Sequence, residues 1–448
     1  MTTVASALTL FTNATVLDRN GRRRADVVVD RLGGEVVAVE SGIDATGLDV
    51  IDVSGCVITP GFVDLATHLR EPGDEAAENI RSGSRAAACG GYTAVVAMPD
   101  TEPCLDSAST LAMVRSAAVG VSCEIAAAGA ISAGRRGTEL APIGELADLG
   151  VRIFTDNGRG VQNPQLLRRA LEYADSIDSS IVLMQSGALG ELAAGSVMHE
   201  GPWSVRLGLA GQPSLAEDLF VQRDLALAAL TGARLHLQVS TSGAVEAVRR
   251  AKADGVRVTA SVSPHHLVLT DAACAGYDPR FRIEPPLRGD DDVAAVRAGL
   301  ADGTIDAIAT AHQPHAPDAK ERPFDQAPAG AIGLETALAI ALADSGLDLD
   351  ELVPLLSWQP AEIAGLDHRH GRPIEAGEPA NLTIIDPECE WTVDPTAFAS
   401  NATNSPFIGR QLKGKVRHTV YRGQLVVIDA APVEMRSISA DASAAVAR

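Results

Sequence analysis

The residues whose spacing suggests chemistry lie at the end of an apolar run, residues 61–70, which contains Ala66 and His68. Residues i and i+2 of a strand point to one face, so histidines at both positions would form a natural pair of metal ligands. An alanine methyl group cannot coordinate a metal. The segment therefore predicts a strand end of the kind that binds metal, supplying one ligand where two are expected.

Other histidines fall in short motifs. His312 and His315 follow an apolar run at positions i and i+3, and together with His68 they are the remaining candidates for metal binding. His265 and His266 lie beside a predicted strand, where we expect them to hydrogen-bond backbone groups. His368 and His370 belong to the polar run 367–371, which favours exposure to solvent.

Eight segments together resemble the dihydroorotase branch of the metal-dependent amidohydrolases over nearly the whole chain. They are PGFVDLATHLREPG (60–73), GGYTAVVAMPDTEP (90–103), FTDNGRGVQ (154–162), HLQVSTSGAV (236–245), SPHHLVLT (263–270), EPPLRG (284–289), DAIATAHQPH (306–315) and SPFIGR (405–410).

The resemblance implies where a two-zinc centre would lie. The family holds the metals with His-x-His, a bridging aspartate, two further histidines and a last aspartate that is also the general base. These functions fall, in chain order, on Ala66, His68, Asn157, Ser186, Gln238 and Ala311, with Gln185 as the alternative to Ser186. Only His68 matches. One ligand position cannot form the family's metal centre, so we expect no catalytic residue in this chain.

Zinc catalysis needs about three protein ligands and an open position for water, whose pKa the metal lowers to about 7. Asn157 keeps the shape of an aspartate without its charge. Some relatives bridge the metals with a carboxylated lysine, but the four lysines lie outside the apolar strand runs; they are Lys252, Lys320, Lys413 and Lys415. We therefore expect no zinc and no other cofactor.

The resemblance also implies four positions that contact the substrate, which in this family is the carboxylate dihydroorotate. Arg70 and His315 match the family, whereas Asp100 and Glu284 stand where it has asparagines. Carboxylates facing a bound carboxylate repel it. The change predicts weak binding of an anionic ligand, although Arg70 with His315 could still hold a small anion.

Composition excludes several classes of partner. The 448 residues carry a net charge of −21, which argues against nucleic acid and anionic membranes. The six cysteines are scattered without metal-binding spacing, as expected for reduced thiols in a cytoplasmic protein. The sequence shows no signal peptide and no apolar run of about 18 residues, so we expect no membrane span.

The predicted fold is α/β: a (β/α)8 barrel of the amidohydrolase type with a small β-sandwich formed by both chain ends. Strand-like and helical runs alternate through residues 58–375, the pattern of such a barrel. Short strands in residues 1–57 and 376–435 would make the sandwich, and residues 436–448 would be a disordered tail.

Three functions are consistent with these observations. The leading hypothesis is a noncatalytic dihydroorotase-like protein of pyrimidine biosynthesis, which assembles aspartate transcarbamoylase, associates with itself, or does both. The second is an active dihydroorotase or other cyclic amidohydrolase with an atypical metal site. The third is a small-molecule binding protein that uses the pocket in which the family binds its substrate. The proline-rich segment 311–330 is a candidate loop for docking a partner.

Overall fold

The computed structural model describes residues 7–434, so the predicted tail at 436–448 lies outside the described residues. Both ends of the described chain build one nine-stranded sheet. Its N-terminal strands are β1 (Leu8–Asp18), β2 (Gly21–Asp30), β3 (Val36–Glu40), β4 (Asp49–Asp52) and β5 (Val57–Pro60). Its C-terminal strands are β16 (Leu382–Thr392), β17 (Gln411–Tyr421), β18 (Gln424–Ile428) and β19 (Ala431–Pro432).

The two chain ends meet at β5. This strand pairs in parallel with β1 and antiparallel with β16, where Leu382 lies opposite Pro60. Strand order is β19-β18-β17-β16-β5-β1-β2-β3, with β4 beside β1. Apolar side chains from both ends, among them Val16, Ile58 and Ile384, form one buried cluster. Both chain ends therefore contribute strands to one sheet, and the predicted domain boundaries stay predictions.

Between the two ends, eight parallel strands form the barrel and confirm the predicted fold class. They are β6 (Phe62–Thr67), β7 (Tyr92–Ala97), β8 (Glu124–Ala127), β9 (Ile153–Thr155), β10 (Val182–Gln185), β13 (Arg234–Gln238), β14 (Val258–Val262) and β15 (Ala307–Ile308). Two short strands form a separate pair, β11 (Met198–His199) and β12 (Gly211–Gln212). Most barrel strands are buried on both faces, which explains their continuous apolar sequences.

Helices connect the barrel strands and cover them. They are α1 (Ile80–Cys89), α2 (Ala108–Ala117), α3 (Ile143–Asp148), α4 (Pro164–Ile177), α5 (Gly190–Ala193), α6 (Pro202–Leu207), α7 (Ser214–Thr231), α8 (Ser242–Ala253), α9 (Pro264–Val268), α10 (Asp290–Ala301), α11 (Pro317–Lys320), α12 (Ala337–Asp344), α13 (Leu349–Leu356) and α14 (Trp358–Ala364). Within residues 7–434, no helix has the length and apolar character needed to cross a membrane.

The ring closes where the first barrel strand meets the last. The buried carboxyl group of Asp64 in β6 accepts hydrogen bonds from the Thr310 backbone N–H (2.6 Å) and hydroxyl (2.8 Å), and from the Thr67 hydroxyl. A parallel bridge between Thr67 and His312 continues the contact. These bonds join the residues after β15 to β6, and they place the two strand ends side by side.

The closure can be tested by removing its acceptor. Asp64→Leu keeps a side chain of similar size but leaves three buried donors without a partner. Each such donor costs about 1–3 kcal/mol, so we expect the free energy of unfolding to fall by about 3 kcal/mol or more. Urea denaturation followed by circular dichroism measures the change. Asp64→Asn keeps one carbonyl acceptor and should lose less; a Leu variant as stable as the wild type would contradict this account.

Candidate active site

A cavity of about 220 Å³ opens at the C-terminal end of the barrel, where barrel enzymes carry their chemistry. All six positions at which the resemblance places metal ligands line it: Ala66, His68, Asn157, Ser186, Gln238 and Ala311. Each lies at or just after the end of a barrel strand. We call this space the barrel-mouth cavity. The structure thus brings together the residues that the sequence predicted to be neighbours, including Ser186 in preference to Gln185.

Polar side chains at the cavity form one hydrogen-bonded chain. His68 Nδ1 lies 2.8 and 2.7 Å from the two carboxylate oxygens of Asp100, and its Nε2 lies 3.1 Å from the Asn157 amide nitrogen. The Asn157 amide oxygen accepts a hydrogen bond of 3.1 Å from the Ser186 hydroxyl. The side chains of Asp100, His68, Asn157 and Ser186 therefore hold one another in place.

These hydrogen bonds determine which nitrogen of His68 carries the proton. An amide nitrogen only donates, so the His68 Nε2 must accept from Asn157 and its Nδ1–H must donate to Asp100. Burial lowers the pKa of His68, although the Asp100 carboxylate opposes the change. Burial disfavours the Asp100 anion, but His68, Arg70 and Arg135 outweigh it and hold the pKa of Asp100 well below its usual range. His68 is therefore a neutral imidazole whose Nε2 lone pair lies at the cavity.

Arg70, the family's substrate-binding cation, is engaged elsewhere. Its Nη1 donates to Asp100 at 3.0 Å and its Nε donates to the Pro314 carbonyl at 3.1 Å. The guanidinium lines a neighbouring pocket of about 280 Å³ together with Arg135 and Arg159. We call this the arginine pocket. It shares no lining residue with the barrel-mouth cavity, so Asp100 and Arg70 face away from that cavity.

Glu284 differs from Asp100 because it lines the barrel-mouth cavity itself. Its side chain is open to solvent within the cavity. Enclosure by protein atoms raises the pKa of Glu284, while Arg288 and Gln212 lower it. The two acidic residues that replace family asparagines thus have separate positions, one neutralised by Arg70 and one on the cavity wall.

The other candidate histidines point away from the cavity. His312 Nδ1 accepts from the Gly333 N–H and its Nε2 lies 3.5 Å from Glu78, while His315 Nε2 bonds the Ala329 carbonyl. His266 bonds the Pro285 carbonyl, which confirms a structural role. His265 stacks on Phe407 with ring centres 5.4 Å apart.

One histidine was predicted wrongly. His370 is buried rather than solvated, because its ring bonds the Thr93 hydroxyl (3.0 Å) and the Glu124 carboxylate (3.0 Å) beneath the barrel strands. His368 is exposed, as expected. The polarity of the surrounding run concealed a long-range contact to β7 and β8 that local sequence does not encode.

The residues present do not fit a two-zinc centre. Among residues 7–434, no group of three or more histidine, cysteine, aspartate or glutamate side chains is placed to hold a metal. Asp156 precedes Asn157, the position of the family's bridging aspartate. Its carboxylate accepts hydrogen bonds from the Ile131 and Ser132 backbone N–H groups and does not line the barrel-mouth cavity. Lys252 pairs with Asp306 at 2.7 Å, so it is not a bridging ligand.

The sequence did not predict several residues of the cavity wall. Gln313, Gly158, Gly187, Pro285 and Ala329 also line the barrel-mouth cavity. Gln313 lies between His312 and His315 in the segment DAIATAHQPH (306–315). Its place in that segment could have predicted that it lies near the site. The pairing of His68 with Asp100 joins residues 32 positions apart and gave no local signal.

Comparisons with known proteins agree with the architecture. A family model described as Dihydro-orotase-like matches residues 55–243. A dihydroorotase of Pelotomaculum thermopropionicum is 42% identical over 425 residues, 94% of this chain and 98% of that protein. A dihydroorotase of Streptomyces coelicolor is 43% identical over 429 residues, with 94% and 98% covered.

Solved structures show the same fold at lower identity. The L-hydantoinase (dihydropyrimidinase) from Arthrobacter aurescens superposes with a TM-score of 0.85 at 24% identity, covering 96% of this chain and 98% of that one. A D-hydantoinase gives 0.84 at 21% identity, covering 96% and 97%.

The relatives correct the leading functional hypothesis. Proteins 42–46% identical to most of this chain are named dihydroorotase, which favours an active enzyme over a noncatalytic one. The alternative of an active dihydroorotase with an atypical site is therefore better supported. The substitutions that suggested inactivity are present in the cavity, but the inference from lost ligands to lost function was wrong. Association with aspartate transcarbamoylase and self-association stay predictions.

Zinc content tests the poor fit of the site. After incubation with excess zinc and dialysis, we expect less than about 0.1 zinc per chain, because one histidine leaves too few ligands. Elemental mass spectrometry measures the content. The control restores the ligands implied by the family: Ala66→His, Asn157→Asp, Ser186→His, Gln238→His and Ala311→Asp. That variant should retain about one or two ions, whereas the same content in the wild type would contradict the assignment.

Proposed function

This chain belongs to the dihydroorotase family of the amidohydrolase superfamily, and we propose that it is a hydrolase that opens a cyclic amide in the barrel-mouth cavity without zinc. One observation carries the proposal: His68 Nε2 lies at the cavity wall, 3.1 Å from the Asn157 amide nitrogen, while Asp100 holds the other ring nitrogen. The names of the relatives make dihydroorotate the first cyclic amide to test.

His68 would act as the general base. A carboxylate that accepts the Nδ1–H stabilises the imidazolium that forms when Nε2 takes a proton. Water would replace the Asn157 amide as the partner of Nε2. Its oxygen would then bond the amide carbon, and its proton would pass to His68 Nε2.

The second half of the reaction returns this proton. The carbon–nitrogen bond of the ring breaks, and His68 Nε2 gives the proton to the departing ring nitrogen. Water is thus divided between the two new ends, a carboxyl group and an N–H, and His68 is regenerated. The same residue serves as base and then as acid, as microscopic reversibility permits.

The cavity also offers donors to the carbonyl oxygen of the substrate. Asn157, Gln238 and Gln313 carry side-chain amides at its wall. A donor aimed at the developing oxyanion contributes about 2.7–4 kcal/mol in enzymes that use one. Without a Lewis acid, base catalysis of about 10²–10⁴-fold and these donors are what the site supplies. We therefore propose slow turnover.

A ring-opening assay tests this function. Proton NMR of dihydroorotate and of dihydrouracil, with enzyme and excess chelator, should show slow opening that added zinc does not accelerate. His68→Gln should lower the rate about 10²–10⁴-fold because it removes the base. His418→Gln, in β17 of the nine-stranded sheet, is the matched control and should retain the rate.

Two results would contradict the proposal. Activity that disappears with chelator and returns with zinc would restore metal chemistry to this site. Binding of both rings without any opening, in protein shown to be folded, would make the cavity a binding site and not a hydrolytic one.

A further inference from the structure

We propose that a second cavity, which opens at the amino-terminal ends of β8 and β9, binds the phosphate monoester of a small ring compound. The cavity has a volume of about 380 Å³ and shares no lining residue with the barrel-mouth cavity. We call it the seam cavity, because residues of β8 and β9 form its two sides. The inference does not depend on the proposed function.

The barrel wall is open between these two strands. Strand β8 pairs with β7 along one edge, but within the described residues β8 and β9 belong to separate sheets. The bridge that joins these regions, between Gly129 and Phe154, lies beyond the end of β8. All four residues of β8 are half-buried, whereas β6 and β7 are completely buried. The gap therefore leaves space that the protein's own side chains do not fill.

Positive charge collects around this space. Arg115, Arg152 and Arg369 line the seam cavity, and the exposed His368 lies beside them. Among the described residues that line it, Glu124 is the only acidic one. The whole chain carries a net charge of −21, so a cavity wall with three cations and one anion is contrary to its average. Such a local reversal of charge favours an anionic ligand.

Two of the arginines are held in place without losing their charge. Arg152 Nη1 donates to the backbone carbonyls of Ala147 at 2.8 Å and Val151 at 3.1 Å. Arg115 Nη2 donates to the backbone carbonyl of Leu149. A carbonyl group positions a guanidinium but does not neutralise it. Both arginines therefore keep a full positive charge and further N–H donors at the cavity.

The third arginine carries an unused donor. Glu124 accepts from Arg369 Nη2 at 2.6 Å with one oxygen, and its other oxygen lies 3.0 Å from His370 Nε2. Both oxygens of the only acidic side chain are thus engaged. Arg369 Nε is buried and has no hydrogen-bond partner among residues 7–434. An anionic oxygen in the cavity would supply the acceptor that this donor lacks.

The charge and the apolar part of the wall together define the class of ligand. Three arginines against one glutamate leave two positive charges, which match the charge of about −1.5 to −2 and the three terminal oxygens of a phosphate monoester. The rest of the wall is apolar and includes Val96, Leu111, Ile125, Ile153 and Leu366. The volume of about 380 Å³ lies within the roughly 300–1,000 Å³ of small-molecule sites. The phosphate would bind the arginines, and the ring would pack on the apolar side chains.

Isothermal titration of the full chain with four probes tests the ligand class. Phenyl phosphate and ribose 5-phosphate carry a phosphate on a planar ring and on a sugar ring, inorganic phosphate lacks the ring, and phenol lacks the phosphate. We expect at least one ester to bind about tenfold or more tightly than inorganic phosphate and phenol, and the better ester identifies the kind of ring. Inorganic phosphate binding as tightly as both esters, or no saturable binding of either ester, would overturn the inference.

Matched arginine variants test the location. Arg115→Met and Arg152→Met keep most of the side chain and remove its charge, so each should weaken binding of the better ester about tenfold. Arg115 is exposed on α2, which makes its variant the one least disturbing to the fold. Arg159→Met makes the same change in the arginine pocket and should leave the affinity unchanged. In variants shown to be folded by thermal melting, affinity that survives both seam-cavity changes, or that falls only with Arg159→Met, would refute this site.

Discussion

The hydrogen bonds from Thr310 to the buried Asp64 are the constraint on which the site depends. They close the ring by joining β6 to the residues after β15. The strands β6 and β15 are far apart in sequence. Ala66 and His68 follow Asp64 on one side, and Ala311 follows Thr310 on the other. Closure therefore brings the first and last parts of the cavity wall together, whichever side chains those positions carry.

Two residues that follow the joined strands have uncommon backbone conformations. Arg70 and Ala311 both adopt left-handed backbone angles, with φ of 60° and 49°. Such angles cost about 1–2 kcal/mol for residues other than glycine, and they persist where surrounding structure enforces them. An alanine at position 311 has no side chain that would use this geometry. Ala311 thus holds a left-handed backbone conformation at the rim of the cavity, although its side chain is only a methyl group.

Sequence alone predicted the framework better than the contacts. The alternation of strand-like and helical runs through residues 58–375 predicted the barrel, because burial of both strand faces requires continuous apolar sequences. Position in the cavity was also predictable for Asn157 and Ser186, since strand ends meet at one face of a barrel. The partner of His68 was not predictable, because Asp100 reaches it through tertiary packing. The buried environment of His370 was missed for the same reason.

The Asp100 substitution shows why loss of ligands and loss of function are different questions. Read from sequence, Asp100 is a repulsive charge beside a substrate carboxylate. In the structure Asp100 orients His68, the one histidine that matches a family ligand. It also forms an ion pair with Arg70, the residue that the family uses to bind the substrate carboxylate. One side chain thereby makes two contacts: it accepts a hydrogen bond from His68 Nδ1, and it forms an ion pair with Arg70. Both contacts are made by one carboxylate, so a residue that reads as damage in the sequence is part of the hydrogen-bonded framework of the site.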